Sequence, residues 1–95
     1  MSTHHLLMIE DDTRLAAMVG EYLTQSGFTV THMADGESGL AALQDKAVDL
    51  VILDLMLPDI DGLEVCRRIR ALPGELARVP VLMLTAKGDP MDRIV

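Results

Sequence analysis

Three of the four short apolar runs in this chain end in polar side chains capable of chemistry. Glu10 and Asp11 follow the run from His5 to Ile9, Asp54 follows Leu50 to Leu53, and Thr85 follows Val81 to Leu84. If the first and third runs are neighbouring strands, about 4.8 Å apart, carboxylates remote in sequence share one pocket. Two like charges about 4 Å apart repel by about 4 kcal/mol at an intermediate dielectric, so such a cluster calls for a counterion. A hard divalent cation serves, and Mg2+ combines a few carboxylates with waters and a phosphate oxygen. Asp11 and Asp54 are the expected direct ligands, Glu10 reaches the ion through water, and the backbone carbonyl of Met56 completes the protein's share. A strand-end carboxylate beside such an ion can attack phosphorus and form an acyl phosphate. Little more is needed, since phosphoryl transfer depends mainly on positioning and charge neutralisation. Asp54 takes that role. The Thr85 hydroxyl donates to a phosphoryl oxygen, and Ala86 leaves space and offers its backbone N–H.

The elements that must hold these groups follow from the hydropathy pattern. The run from His5 to Ile9 is too short for a helix and stops at three acids, so it reads as a buried strand. From Thr13 the period changes, and Leu15, Met18, Val19, Tyr22 and Leu23 fall on one face of a helix that Gly27 ends. Phe28 to Met33 is rich in β-branched residues and reads as a second strand near a sheet edge. Asp35 caps a short helix whose inner side carries Leu40, Leu43 and Ala47. Leu50 to Leu53 is uniformly apolar, as a strand buried on both faces must be. After the turn-rich stretch from Leu57 to Gly62 comes a helix with Leu63, Cys66, Ile69 and Leu72 inward. A connector through Pro73 and Gly74 leads to the strand from Val81 to Leu84. Asp89 and Pro90 pattern as the cap and first residue of a further helix, barely one turn long at Val95. Strands alternating with helices imply right-handed β-α-β units and a parallel sheet between two helical layers. Ligands of such doubly wound sheets bind outside the carboxyl ends of the strands, where the acids lie.

Composition agrees with a single small domain. The chain has 95 residues, 49% hydrophobic and 24% charged, a globular balance with no room for a second core. Fifteen acids against eight bases give a net charge of -7, which opposes binding of nucleic-acid backbones or anionic lipid headgroups. The single cysteine, Cys66, excludes an internal disulfide, and with no signal sequence in evidence the expected compartment is a reducing cytoplasm. No apolar run approaches the roughly 18 residues that cross a bilayer.

Three stretches together resemble the receiver domain of bacterial two-component response regulators: Leu6-Leu-Met-Ile-Glu-Asp-Asp12, Val51-Ile-Leu-Asp-Leu-Met-Leu-Pro-Asp-Ile-Asp-Gly62 and Pro80-Val-Leu-Met-Leu-Thr-Ala86. They occur in the family's order and spacing, and the middle one is most similar to the OmpR/PhoB type. The resemblance implies a three-layer α/β/α, flavodoxin-like (CheY-like) fold with strand order 2-1-3-4-5. It implies that Asp54 accepts phosphate from a partner sensor histidine kinase. Glu10 and Asp11 match the acidic pair, Met56 the position whose carbonyl ligates Mg2+, and Thr85 the switch hydroxyl. Family domains run to about 120 residues, within the usual single-domain range. Against that pattern the fourth helix here is cut short, and the fifth strand and fifth helix are missing, with the phosphate-pairing lysine and the aromatic switch residue. Lys87 is not assigned the lysine's role. An exposed fourth strand would invite edge pairing or a swapped homodimer.

Plainer roles fit the remaining polar residues. Asp12 reads as a helix cap, and Asp59 and Asp61 as local turn residues. His4, His5 and His32 have no metal-ligand spacing, and Cys66 and the methionines read as core. The module is expected to be a phosphorylated switch and no turnover enzyme. Haloacid-dehalogenase-like phosphatases, which also form an aspartyl phosphate, place a second aspartate two residues after the nucleophile, where this chain has Met56. The alternative is an interaction or dimerisation module whose pocket is not phosphorylated. Regulation of transcription, with DNA contacted only through an output domain beyond these residues, is implied by the subfamily resemblance alone.

Overall fold

In the computed structural model, residues 3–84 are described in full and 93–94 as backbone. Strands β1 (His5–Ile9), β2 (Thr29–Met33), β3 (Leu50–Asp54) and β4 (Val81–Leu84) alternate with helices α1 (Thr13–Gln25), α2 (Gly36–Asp45) and α3 (Gly62–Arg70). The four strands are parallel in the order β2-β1-β3-β4, with Leu7 opposite Val51 and Asp54 opposite Leu84. This is the doubly wound sheet the alternation predicts, with β2 at one edge.

Side chains alternate across the sheet, as a period of two requires. Leu7, Ile9, Val51, Leu53, Val81 and Met83 face α2 and α3, where Leu40, Leu43, Val65 and Ile69 close over them. Leu6, Met8 and Ile52 face α1 and meet Ala16, with Val19 and Leu23 packed alongside. The helices start and stop where local chemistry dictates. Asp12, Asp35 and Asp61 cap the three helices by accepting backbone N–H groups of the first turn. Past the end of α1, Gly27 turns the chain at φ +99°, a conformation costly for any residue with a Cβ.

The structure corrects the sequence reading at several places. On α1, Leu15, Met18 and Tyr22 are exposed and the inward stripe is Ala16, Val19 and Leu23. Ala16 is the buried member of that stripe, and the bulkier Leu15, Met18 and Tyr22 are left outside. On α2 the buried residues include Ala42, whereas Ala47 lies past the helix end and is exposed. On α3, Val65 takes the inward place read for Leu63, which is exposed, and Leu72 packs on the core from beyond the helix. The connector contains a 3-10 turn, Gly74–Arg78. Finally, Arg93–Ile94 forms a short strand, β5, antiparallel to β4 opposite Met83 and Leu82, where the pattern suggested a helical turn. The open edge of β4 supplies the backbone groups for that pairing, so over these two residues it is not an uncovered edge. Asp89 and Pro90 lie outside the described residues.

Candidate functional site

β1 and β3 are adjacent, so their carboxyl ends deliver Glu10, Asp11 and Asp54 to one place. One carboxylate oxygen from each lies within 4.8 Å of the others. Glu10 and Asp54 are buried and Asp11 is exposed, so the cluster opens to solvent on one side. Among the described residues this is the one His/Cys/Asp/Glu group with such proximity. The donors are all hard oxygens, the set that suits Mg2+.

The backbone fixes each member. Glu10 continues the sheet by donating its N–H to the Met33 carbonyl at 3.0 Å. The ring Nε2 of His32, for which the sequence suggested no role, donates to the Glu10 carbonyl at 2.7 Å. The Glu10 carboxylate accepts the Asp12 N–H at 3.0 Å, which closes the turn carrying Asp11. Asp54 is the last residue of β3, and its Oδ1 accepts the Met56 N–H at 3.2 Å. Gly62 lies so near this strand end that a Cβ there would sit 2.6 Å from the Asp54 carbonyl oxygen. The close approach lets the Gly62 N–H bond the Leu55 carbonyl at 2.8 Å.

Crowded acids leave an electrostatic signature. Burial, reinforced by Asp54 and Asp11, pushes the Glu10 carboxyl up to about 7 against the opposing Asp12 N–H. A bound cation would favour the ionised form of this carboxylate and oppose the shift.

Of the residues read from sequence, the structure gathers Glu10, Asp11 and Asp54, and sets the Met56 backbone beside Asp54 with its side chain exposed. Asp12 and Asp61 are caps, as read. Thr85 and Ala86 lie outside the described residues. Asp59 departs from its local reading. Its two oxygens accept the N–H groups of Gly36 and Glu37, each at 2.9 Å, across to the amino terminus of α2. Those two donors hold the Asp59 carboxyl below its ordinary range. No local pattern signals this pairing, because the partners meet only when α2 and the β3–α3 loop pack. Arg68 adds a second tie, from α3 to Glu37 at 3.1 Å, while also pairing with Glu64.

Comparison with known proteins agrees with this geometry. Residues 6–95 match the family described as response regulator receiver domain. The chain is 44% identical over 90 residues to the transcriptional regulatory protein AfsQ1 of Streptomyces coelicolor, covering 95% of this chain and 38% of that one. It is 45% identical over 89 residues to the transcriptional regulatory protein TcrA of Mycobacterium tuberculosis, covering 94% and 34%. The chain therefore spans little more than a third of the length of these relatives. Among solved structures, a response regulator receiver domain from Methylobacillus flagellatus superposes with a TM-score of 0.84 at 28% identity, over 97% of this chain and 77% of that one. The response regulator protein TrrA from Thermotoga maritima, in complex with Mg2+-BeF, gives 0.82 at 29% identity, over 90% and 72%. No helix among the described residues is long and apolar enough to cross a membrane.

Proposed function

The chain belongs to the response regulator receiver domain family, and from that premise we propose that it is a phosphorylation-controlled switch in which Asp54 accepts a phosphoryl group from a sensor histidine kinase. The observation that carries the reading is the convergence of Glu10, Asp11 and Asp54 within 4.8 Å at the ends of adjacent strands. The Mg2+-BeF complex of TrrA supports the same chemistry at a related fold. An Asp54 carboxylate oxygen attacks phosphorus, the bond from phosphorus to the kinase imidazole nitrogen breaks, and that nitrogen leaves with the electron pair. Asp11, Asp54 and the Met56 carbonyl, with Glu10 through water, would hold Mg2+, which when bound would neutralise charge on the phosphoryl oxygens. The Met56 N–H orients the Asp54 carboxylate. Thr85 and Ala86 are assigned to the phosphoryl oxygens on the family pattern.

The wider reading follows the relatives. Residues 1–95 form one receiver domain of a cytoplasmic OmpR/PhoB-type regulator, with transcriptional output through a DNA-binding domain outside these residues. Self-association through the part of the β4 edge beyond its pairing with Arg93–Ile94, as an edge-paired or swapped homodimer, is tested by sedimentation velocity, and a clean monomer counts against it. The decisive experiment is labelling with acetyl phosphate or beryllofluoride in the presence of Mg2+, read by intact-mass spectrometry or NMR. The unaltered chain is labelled and Asp54→Asn is not. Labelling that survives Asp54→Asn overturns the assignment.

A further inference from the structure

The loop from Leu55 to Asp61 joins Asp54 to α3 and carries the Met56 backbone. Its two ends are fixed, by the Leu55 N–H on the Leu84 carbonyl at 3.2 Å and by the Gly62 N–H on the Leu55 carbonyl. Between them Met56, Pro58 and Asp59 are exposed, and no sheet ladder constrains the backbone. Leu57 and Ile60 pack on the core from within this stretch, and its exposed side is held by α2. The Gly36 and Glu37 N–H groups are first-turn donors with no partner inside the helix, and both bond the Asp59 carboxylate at 2.9 Å. Ile60 fills the space over Gly36, where a Cβ would lie 2.5 Å from its Cγ1. Asp35, the helix's own cap, takes only the Ser38 N–H. Two caps therefore serve one helix end, and of the two only Asp59 comes from the loop beside Asp54.

We infer that Asp59 is a positioning residue for the phosphoacceptor site, its two-pronged grip on α2 setting where the Met56 backbone lies relative to Asp54. This inference rests on the phosphoacceptor reading and adds to it a residue that touches neither the metal nor phosphate. Without the grip the loop must be ordered each time a cation binds, and that cost appears as weaker affinity.

The test is calorimetric titration of the full chain with MgCl2, beside thermal unfolding. Asp59→Ala weakens Mg2+ binding by about tenfold, the lower end of what outer supports of metal ligands contribute. Asp35→Ala removes the other cap and lowers the melting temperature comparably, yet leaves Mg2+ affinity within about twofold, since it shares no partner with the site. Asp59→Asn keeps one acceptor and falls between, and it stands in should the alanine variant not fold. Unchanged affinity in the Asp59 variants, or equal weakening by Asp35→Ala, overturns the inference. An unaltered chain that binds no Mg2+ overturns the phosphoacceptor reading and this one with it.

Discussion

On the side of the sheet that faces α2 and α3, Leu7, Ile9, Leu53, Val65 and Ile69 have essentially no exposure, and Gly39 brings α2 against the Ile9 side chain. On the side that faces α1, the buried set is smaller, and Val19, Leu23, Phe28, Val30, Leu50 and Leu84 are only half covered. A Cβ added to Gly39 of α2 would overlap Ile9, whereas one added to Gly20 of α1 would meet Met8 at an ordinary 3.6 Å. Among the described residues the first face is close-packed and the second has slack. The candidate site draws on both faces: Gly62 wedges against Asp54 and Asp59 holds α2 on the close-packed side, while His32, beside α1, holds the Glu10 carbonyl.

The largest test of this contrast uses one residue type in both places. Leu43→Ala, at a fully buried position, is expected to cost about 3–4 kcal/mol, while Leu23→Ala, half covered under α1, costs about 1–2 kcal/mol. Urea unfolding measures both, and equal costs would erase the distinction between the faces.

Glycines sharpen the comparison. Gly39→Ala forces Ile9 aside and loses about 1–3 kcal/mol, whereas Gly20→Ala meets open packing and gains about 0.5–1 kcal/mol from helix propensity. The opposite signs, read as melting-temperature shifts, are the feature to check.

A pH-dependent effect lies at the rim, where the two faces meet at Glu10. Its folded carboxyl titrates near 7 against an ordinary 4.5, so the folded chain binds more protons than the unfolded one between those values. The resulting stabilisation is complete below pH 4.5 and is lost as pH rises to about 7. Thermal unfolding across that window should show the decline, saturating Mg2+ should reverse it, and Glu10→Gln should flatten it. A decline that persists in Glu10→Gln would assign it to other groups. Glu64, held down to about 2 by Arg67 and Arg68, acts in the opposite sense and only at lower pH.

Much of the fold and most of the acidic pocket were legible before any coordinates. Uniform apolarity marked β1, β3 and β4, and the acids at the ends of β1 and β3 marked the rim, because a strand end is both a change of solvent and a change of period. The helix faces were less legible. α1 carries two apolar stripes, one of Leu15, Met18 and Tyr22 and one of Ala16, Val19 and Leu23, and hydropathy favours the bulkier. Ala16 and Gly20 at adjacent turns were the available signal, since small residues permit the closer approach.

The residue types, their order and the local caps determined a doubly wound sheet with Glu10, Asp11 and Asp54 at one end of it. Those are short-range properties, carried by periodicity and by side chains that bond their own neighbourhood. Only the tertiary structure decided which stripe of α1 turns inward, that Arg93–Ile94 pairs with β4, and that Asp59 and His32 hold backbone far from their own positions in the chain. Such contacts join segments remote in sequence, and their energy exists only once packing has set the donor and acceptor face to face.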